Sequence, residues 1–111
     1  MNATMPNPPN YTSGLGETIR AHRLYMGLSR EVMAAHLGMA DRSYARIESN
    51  QRDCPPGLID TLHAMADRFD ADVVAARSCD QLELSQDADE WTRAVAGRAA
   101  VESGRILHSA E

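Results

Sequence analysis

Two arginines four residues apart are the side chains of this sequence best suited to specific recognition chemistry. Arg42 and Arg46 stand in the stretch ADRSYARIES, and a spacing of four places both on one face of a helix. A guanidinium is planar, always charged and presents paired N–H donors, which match a phosphate or the O6 and N7 atoms of guanine. The pair indicates such a partner, although a single helical arginine is ordinarily a solvated surface charge.

Charge is distributed unevenly along the 111 residues. Residues 1–52 hold six arginines against four acids, a net charge of +2, whereas residues 53–111 hold five arginines against twelve acids, a net charge of −7. The total of −5 argues against a protein that coats nucleic acid indiscriminately. A basic half followed by an acidic half predicts separate roles for the two halves.

Several classes of function find no support in the residue patterns. The histidines are dispersed, and the two cysteines, Cys54 and Cys79, lack metal or redox spacing. No G-x-S-x-G nucleophile motif and no glycine-rich phosphate loop is present. We therefore expect no enzyme, no cofactor and no metal. No apolar run approaches the roughly 20 residues of a membrane span and no signal-peptide pattern opens the chain, so we expect a cytoplasmic protein without a membrane partner.

Apolar spacing and glycine positions predict the elements that would hold the two arginines. Five helices are predicted, at about Leu15–Tyr25, residues 30–37, Asp41–Ser49, Leu58–Phe69 and Glu90–Ser103. The segment DVVAAR extends or follows the fourth helix, and residues 78–89 read as a linker or short strand. Asparagine and proline in residues 1–13 predict a disordered arm.

The second and third predicted helices form a helix-turn-helix pattern. Gly38 allows the positive φ that the turn between them needs, and Ala34 is small where the two helices cross. Five apolar residues would form the wedge between the helices: Met33, Leu37, Met39, Tyr44 and Ile47. This combination is more specific than any single glycine.

In the stretch LGETIRAHRLYMGLSREVMAAHLGMADRSYARIESNQR these features resemble the Cro/cI-type helix-turn-helix domains of the XRE family. The likeness spans about Leu15 to Phe69 and includes the Leu-Gly start, the Gly-Leu-Ser before the second helix and the Arg-Ile-Glu that ends the third. It implies an all-α protein with a five-helix, lambda-repressor-like DNA-binding domain at residues 14–70. The third helix would enter the major groove.

The resemblance also implies roles for single residues. Base reading would fall to four residues of the third helix: Asp41, Arg42, Ala45 and Arg46. Phosphate contacts would fall to five residues near it: Arg30, Ser43, Asn50, Gln51 and Arg52. An ion pair between Arg23 and Glu48 would tie the first helix to the third.

The sequence departs from the usual family pattern at four positions. Arg30 stands in place of glutamine, Tyr44 in place of an aliphatic residue and Asn50 in place of glycine. Ala40 stands where a polar helix cap is customary, so Asp41 could cap the third helix instead of reading a base.

The last predicted helix carries an apolar stripe that needs burial. Trp91, Val95 and Ala99 recur every four residues. Helix-turn-helix proteins commonly dimerise, because a two-fold axis lets two recognition helices read half-sites about 34 Å apart. We therefore predict that residues 71–107 form a helical dimerisation region that uses these three residues. Two alternatives remain: the helix folds back on its own domain, or it binds a different protein.

The sequence thus favours a sequence-specific transcriptional repressor of bacterial or phage origin, a homodimer on a palindromic double-stranded DNA operator. The main alternative is an antitoxin-type regulator whose acidic C-terminal region binds a partner protein. Another is a helix-turn-helix retained only for protein interaction. A weaker resemblance, carried by WTRAVA after the motif, is to the autorepressors associated with anti-CRISPR genes, whose C-terminal part dimerises.

Overall fold

The computed structural model describes residues 10–109, which form five helices and one two-stranded parallel sheet. The helices are α1 Gly16–Tyr25, α2 Arg30–His36, α3 Asp41–Glu48, α4 Leu58–Arg77 and α5 Glu90–Ser103, and the strands are β1 Glu83–Leu84 and β2 His108–Ser109. The all-α prediction is confirmed apart from these short strands. They pair with Glu83 opposite His108 and lie in the predicted linker and the C-terminal tail.

The fourth helix continues well beyond Phe69 and ends at Arg77. Its buried stripe, which includes Leu62, Met65, Phe69 and Val73, keeps the helical spacing, and neither glycine nor proline interrupts it. The boundary between residues 70 and 71 therefore falls inside a helix. The region 14–70 holds α1 to α3 and the first part of α4, and α5 is the fifth helix. None of the helices in residues 10–109 is long and apolar enough to cross a membrane.

The start of the chain is tied to the segment before α4. Residues 1–9 of the predicted arm lie outside the described residues. Thr12 and Cys54 exchange two backbone hydrogen bonds, with N···O distances of 3.0 and 2.8 Å. The paired backbone therefore begins before residue 14, where the arm was expected to end.

The stripe of α5 packs against α4 of the same chain. Val95 and Ala99 are buried in the common core. Trp91 is half-buried, and its ring meets that of Phe69 edge to face at 5.4 Å, while its indole N–H donates to Asp72 at 2.9 Å. The structure thus shows the alternative in which the helix folds back on its own domain. Val95 and Ala99 have little surface left for a second chain, and the assignment of Trp91, Val95 and Ala99 to a dimer contact stays a prediction.

Candidate nucleic-acid interface

A tight turn joins α2 to α3. Gly38 has a φ of 68°, in the left-handed region that glycine enters without strain. The N–H of Met39 donates to the carbonyl of Ala34 at 2.9 Å and that of Gly38 to Ala35 at 3.1 Å, so these two carbonyls near the end of α2 are satisfied within the turn. Met33 and Ala34 are completely buried. The predicted helix-turn-helix is present.

The two faces of α3 differ sharply in exposure. Tyr44, Ile47 and Glu48 are buried against the rest of the domain. The opposite face presents the predicted base readers, with Asp41, Arg42 and Arg46 exposed and Ala45 half-buried. Because side chains three or four positions apart share one face of a helix, α3 has one face that anchors it to the domain and an opposite face that is open.

The arginines divide into two groups by their partners. Seven of the eleven are engaged within the chain, through carboxylates, backbone carbonyls or an aromatic ring: Arg20, Arg23, Arg68, Arg77, Arg93, Arg98 and Arg105. The other four are exposed and lie on or beside α2 and α3: Arg30, Arg42, Arg46 and Arg52. These four are the arginines that the resemblance assigns to DNA. Their exposed guanidinium groups can donate hydrogen bonds to a partner outside the chain.

The start of α3 shows whether Asp41 caps the helix. Ala40 is the N-cap residue, with φ −68° and ψ 145°, and no side chain caps the helix. Asp41 is the first helical residue and its side chain is exposed. The alternative in which Asp41 caps α3 is therefore wrong, because capping requires the position before the first helical residue.

A buried network fixes α3 on α1. The guanidinium of Arg23 donates to both carboxylate oxygens of Glu48, at 2.9 and 2.8 Å, and to the carbonyl of Leu28 at 3.1 Å. The hydroxyl of Tyr44 donates to the same carboxylate. The predicted pair of Arg23 and Glu48 is therefore present. Tyr44, which departs from the usual aliphatic residue, becomes its third member.

The network shifts the ionisation of its members. Burial disfavours the charged form of Glu48, but hydrogen bonds from Arg23 and Tyr44 outweigh it, so the pKa of the Glu48 carboxyl lies below its usual value. The hydrogen bond to Glu48 raises the pKa of Arg23. Burial, together with the hydrogen bond to Glu48, raises the pKa of the Tyr44 hydroxyl. At neutral pH the network therefore holds a carboxylate, a guanidinium and a neutral phenol.

A second tie between α1 and α3 was not foreseen. Asn50 has a φ of 65°, and its side-chain oxygen accepts a hydrogen bond from the N–H of Gly16 at 2.8 Å. A Cβ on Gly16 would stand 2.2 Å from the carbonyl oxygen of Glu48, so only glycine permits this approach. The asparagine in place of the usual glycine was the available signal.

The predicted phosphate residues are placed around α3 in different ways. Arg30, Gln51 and Arg52 are exposed, whereas Ser43 is half-buried. Asn50 is exposed but its side-chain oxygen is committed to Gly16, which leaves its amide N–H groups for another acceptor.

The last helix braces the first helix of the motif. Ser29 caps α2, accepting from the N–H of Val32 at 3.2 Å. The carboxylate of Glu90, on α5, accepts from the N–H of Ser29. In a capping box the third helical residue makes this return bond; here that residue is Val32, which has no acceptor, and Glu90 replaces it. The ring of Trp91 also contacts His36 on α2, with centroids 5.3 Å apart.

Comparison with known proteins agrees with this geometry. A scan against protein-family models matches residues 14–78 to a helix-turn-helix domain, and this range takes in α1 to α4. Searches of curated proteins and of solved structures find no match, so the weaker likeness to anti-CRISPR-associated autorepressors stays a prediction. In the part of the chain that the structure describes, no three histidine, cysteine or acidic side chains form a group able to hold a metal ion. More than half of the sequence lies in the matched range, and the chain belongs to the helix-turn-helix domain family.

Proposed function

We propose that the chain is a cytoplasmic, sequence-specific transcriptional repressor that binds an inverted-repeat operator as a homodimer. The observation that carries this proposal is the set of four exposed arginines on and beside α2 and α3. They concentrate positive charge around one short helix of an acidic protein, whereas the seven others all have intrachain contacts. A polyanion with readable base edges is the partner that suits them.

The proposed division of labour follows from the position of each side chain. Arg42 and Arg46, on the open face of α3, would each donate two hydrogen bonds to guanine, a contact that discriminates by about 1–3 kcal/mol. Asp41 would accept from the amino group of cytosine, and the short side chain of Ala45 would allow α3 to approach the bases closely. The half-site should therefore contain G·C pairs.

Phosphate contacts would set the register of the protein on the duplex without reading sequence. Arg30 at the start of α2 and Arg52 after α3 are exposed and lie on either side of the recognition helix in the chain. Ser43, Asn50 and Gln51 would add neutral hydrogen bonds. Because few phosphates are neutralised, we expect weak non-specific binding that salt suppresses.

The acidic second half of the chain supports the same arrangement. Residues 53–111 carry twelve acids against five arginines, and like charge keeps this half away from the DNA backbone. Repression would follow from occupation of a promoter by the bound dimer.

Selection of bound sequences from random double-stranded DNA tests the proposal directly. We expect enrichment of an inverted repeat with G·C pairs in each half. Arg42→Glu with Arg46→Glu should abolish binding to the selected site, and Arg20→Ala, an exposed arginine on α1, should leave it unchanged. Failure to enrich any sequence, or equal binding by the doubly reversed variant, would contradict the proposal and favour a protein-interaction module.

A further inference from the structure

A groove of about 280 Å³ lies between the end of α1 and the outer face of α5. Leu24 and Val101 line it together with the small residues Ala94 and Gly97. Leu24 is 51% exposed and Val101 81% exposed. Single exposed aliphatic side chains are ordinary, but two that line one groove make a patch of the kind that protein contacts cover.

Of the two glycines that line this groove, Gly27 and Gly97, the second has no explanation within its own chain. Gly97 lies in the interior of α5, where glycine is less favourable than alanine. A Cβ at this position would meet no atom of the described residues within 4 Å. The neighbouring Ala96, Ala99 and Ala100 are buried in the chain, which accounts for their size. The missing side chain of Gly97 therefore points to a close approach from outside.

The rim of the groove carries both signs of charge. Arg98 stacks over the ring of Tyr25 at 4.6 Å and donates to the Tyr25 carbonyl at 2.6 Å. Glu102 lies 3.8 Å from Arg98 and 3.3 Å from Arg77. Two copies of a chain with net charge −5 repel each other in general. Because the rim of the groove carries both positive and negative side chains, two copies do not repel each other at this patch.

We propose that this groove is the contact between two copies of the chain, with the α5 helices antiparallel across a two-fold axis. The patch carries a projecting side chain, Val101, and a recess, Gly97, four residues apart on one helix face. In an antiparallel pair each Val101 enters the recess of the other copy, as an isologous contact requires. Arg98 of each copy then approaches Glu102 of the other.

The proposed contact leaves the DNA-reading surface free. The residues that line the groove belong to α1, the turn after it, α4 and α5, and none lies on α2 or α3. This inference names the surface of the homodimer in the proposed function, and it rests on that proposal only for the use of the dimer on DNA.

Analytical ultracentrifugation of the full chain without DNA tests the surface. We expect a concentration-dependent dimer. Val101→Glu should raise the dissociation constant at least about tenfold, and because this side chain is 81% exposed the substitution should leave the fold intact. Ile106→Glu is the matched control: it is 75% exposed, lies outside the groove and should not change the mass.

Gly97→Ala separates an intermolecular role from an intrachain one. The added methyl group enters open space in the single chain, so we expect a higher melting temperature for the dilute monomer. In the dimer it fills the recess, so the same variant should dimerise more weakly. A wild-type mass of one chain throughout would overturn the inference, as would a dimer whose dissociation constant does not respond to Val101→Glu.

These outcomes differ from those that test the repressor proposal. A chain that dimerises through the groove but selects no DNA sequence supports the contact and contradicts the repressor. A chain that selects a sequence yet stays monomeric in free solution overturns the contact and leaves the DNA-binding proposal standing.

Discussion

At the scale of single residues, Arg23 and Glu48 form a bidentate ion pair between α1 and α3. Both side chains are largely removed from water, with exposures of 13% and 6%. A buried ion pair adds little net stability compared with an apolar pair, but removing one member leaves an uncompensated charge. The main effect of this network on stability is therefore the loss that follows when one of its members is removed.

We expect Glu48→Gln to lower the free energy of unfolding by about 3 kcal/mol, since Arg23 then stays buried without its counter-charge. Urea denaturation at neutral pH measures the change. Glu31→Gln, at an exposed position of α2, serves as the control and should shift stability by less than about 0.5 kcal/mol. An unchanged midpoint for Glu48→Gln would show that the pair is not coupled to folding.

The same network predicts how stability responds to acid. The pKa of Glu48 is lower in the folded chain than the ordinary 4.5, so the folded state favours the charged carboxylate. Its stabilising contribution is complete above the unfolded pKa and is lost as the pH falls through the folded pKa. The stability gap between wild type and Glu48→Gln should therefore be full at pH 6 and shrink as the pH falls below about 4. A gap that stays constant down to the acid unfolding limit would contradict this assignment.

Residue-level expectations succeed where the family pattern and helical spacing agree. The pairing of Arg23 with Glu48 follows from the resemblance, and the exposure of Arg42 and Arg46 follows from the period of a helix. The bond between Asn50 and Gly16 joins positions 34 residues apart, and no local pattern encodes it. Glu90, whose carboxylate completes the cap of α2, lies even farther along the sequence from its partner Ser29.

At the scale of elements, α3 is a short helix whose first turn has no side-chain cap. Ala40 has the backbone conformation of an N-cap residue but offers no acceptor. We expect Ala40→Ser to raise the free energy of unfolding by about 1 kcal/mol, because its hydroxyl can accept from an unbonded N–H of the first turn. Thermal denaturation measures this gain in stability. Ala35→Ser, exposed within α2, should bring no gain, and an equal gain at both positions would argue against capping as the cause.

The contact from α5 to α2 makes a second prediction at this scale. Glu90→Ala removes the carboxylate that accepts from the N–H of Ser29, and a hydrogen bond to a charged group contributes about 1.5–3 kcal/mol. We expect a loss of about 1.5 kcal/mol by urea denaturation, with faster amide hydrogen exchange at the start of α2. Asp87→Ala, an exposed neighbour, is the control. Unaltered exchange in α2 would mean that α5 does not brace the motif.

The helices were largely predictable from the sequence, whereas the segments against which they pack were not. Four of the five helices end within about two residues of their expected bounds, because caps, glycines and apolar spacing are local signals. For α4 the sequence left open whether DVVAAR extends the helix or follows it, and the structure shows that it extends the helix to Arg77, since nothing marks the end of a helix at Phe69. The stripe of Trp91, Val95 and Ala99 was identified correctly as a face that needs burial, but periodicity cannot say whether the cover is the same chain or another.

At the scale of the whole molecule, the partition of charge predicts how DNA binding depends on salt. Removal of a single bond to a phosphate should reduce the slope of log affinity against log salt by about 0.9. Arg30→Ala removes one such bond from each copy, so the slope for a homodimer should fall by about two, with the selected sequence unchanged. Fluorescence anisotropy over a range of salt concentrations measures it, with Arg20→Ala as the control. If Arg30→Ala instead changed the preferred bases, Arg30 would be a base-reading residue and not a phosphate contact.

The continuity of α4 has a consequence for how this protein can be divided. One continuous helix, α4, packs against both α1 and α5, and Glu90 of α5 completes the cap of α2. The acidic half is thus not a detachable tail. A swap of recognition specificity between relatives, by recombination or in the laboratory, must exchange surface side chains of α3 in place, because a crossover anywhere within α4 would split the core on which both halves rest.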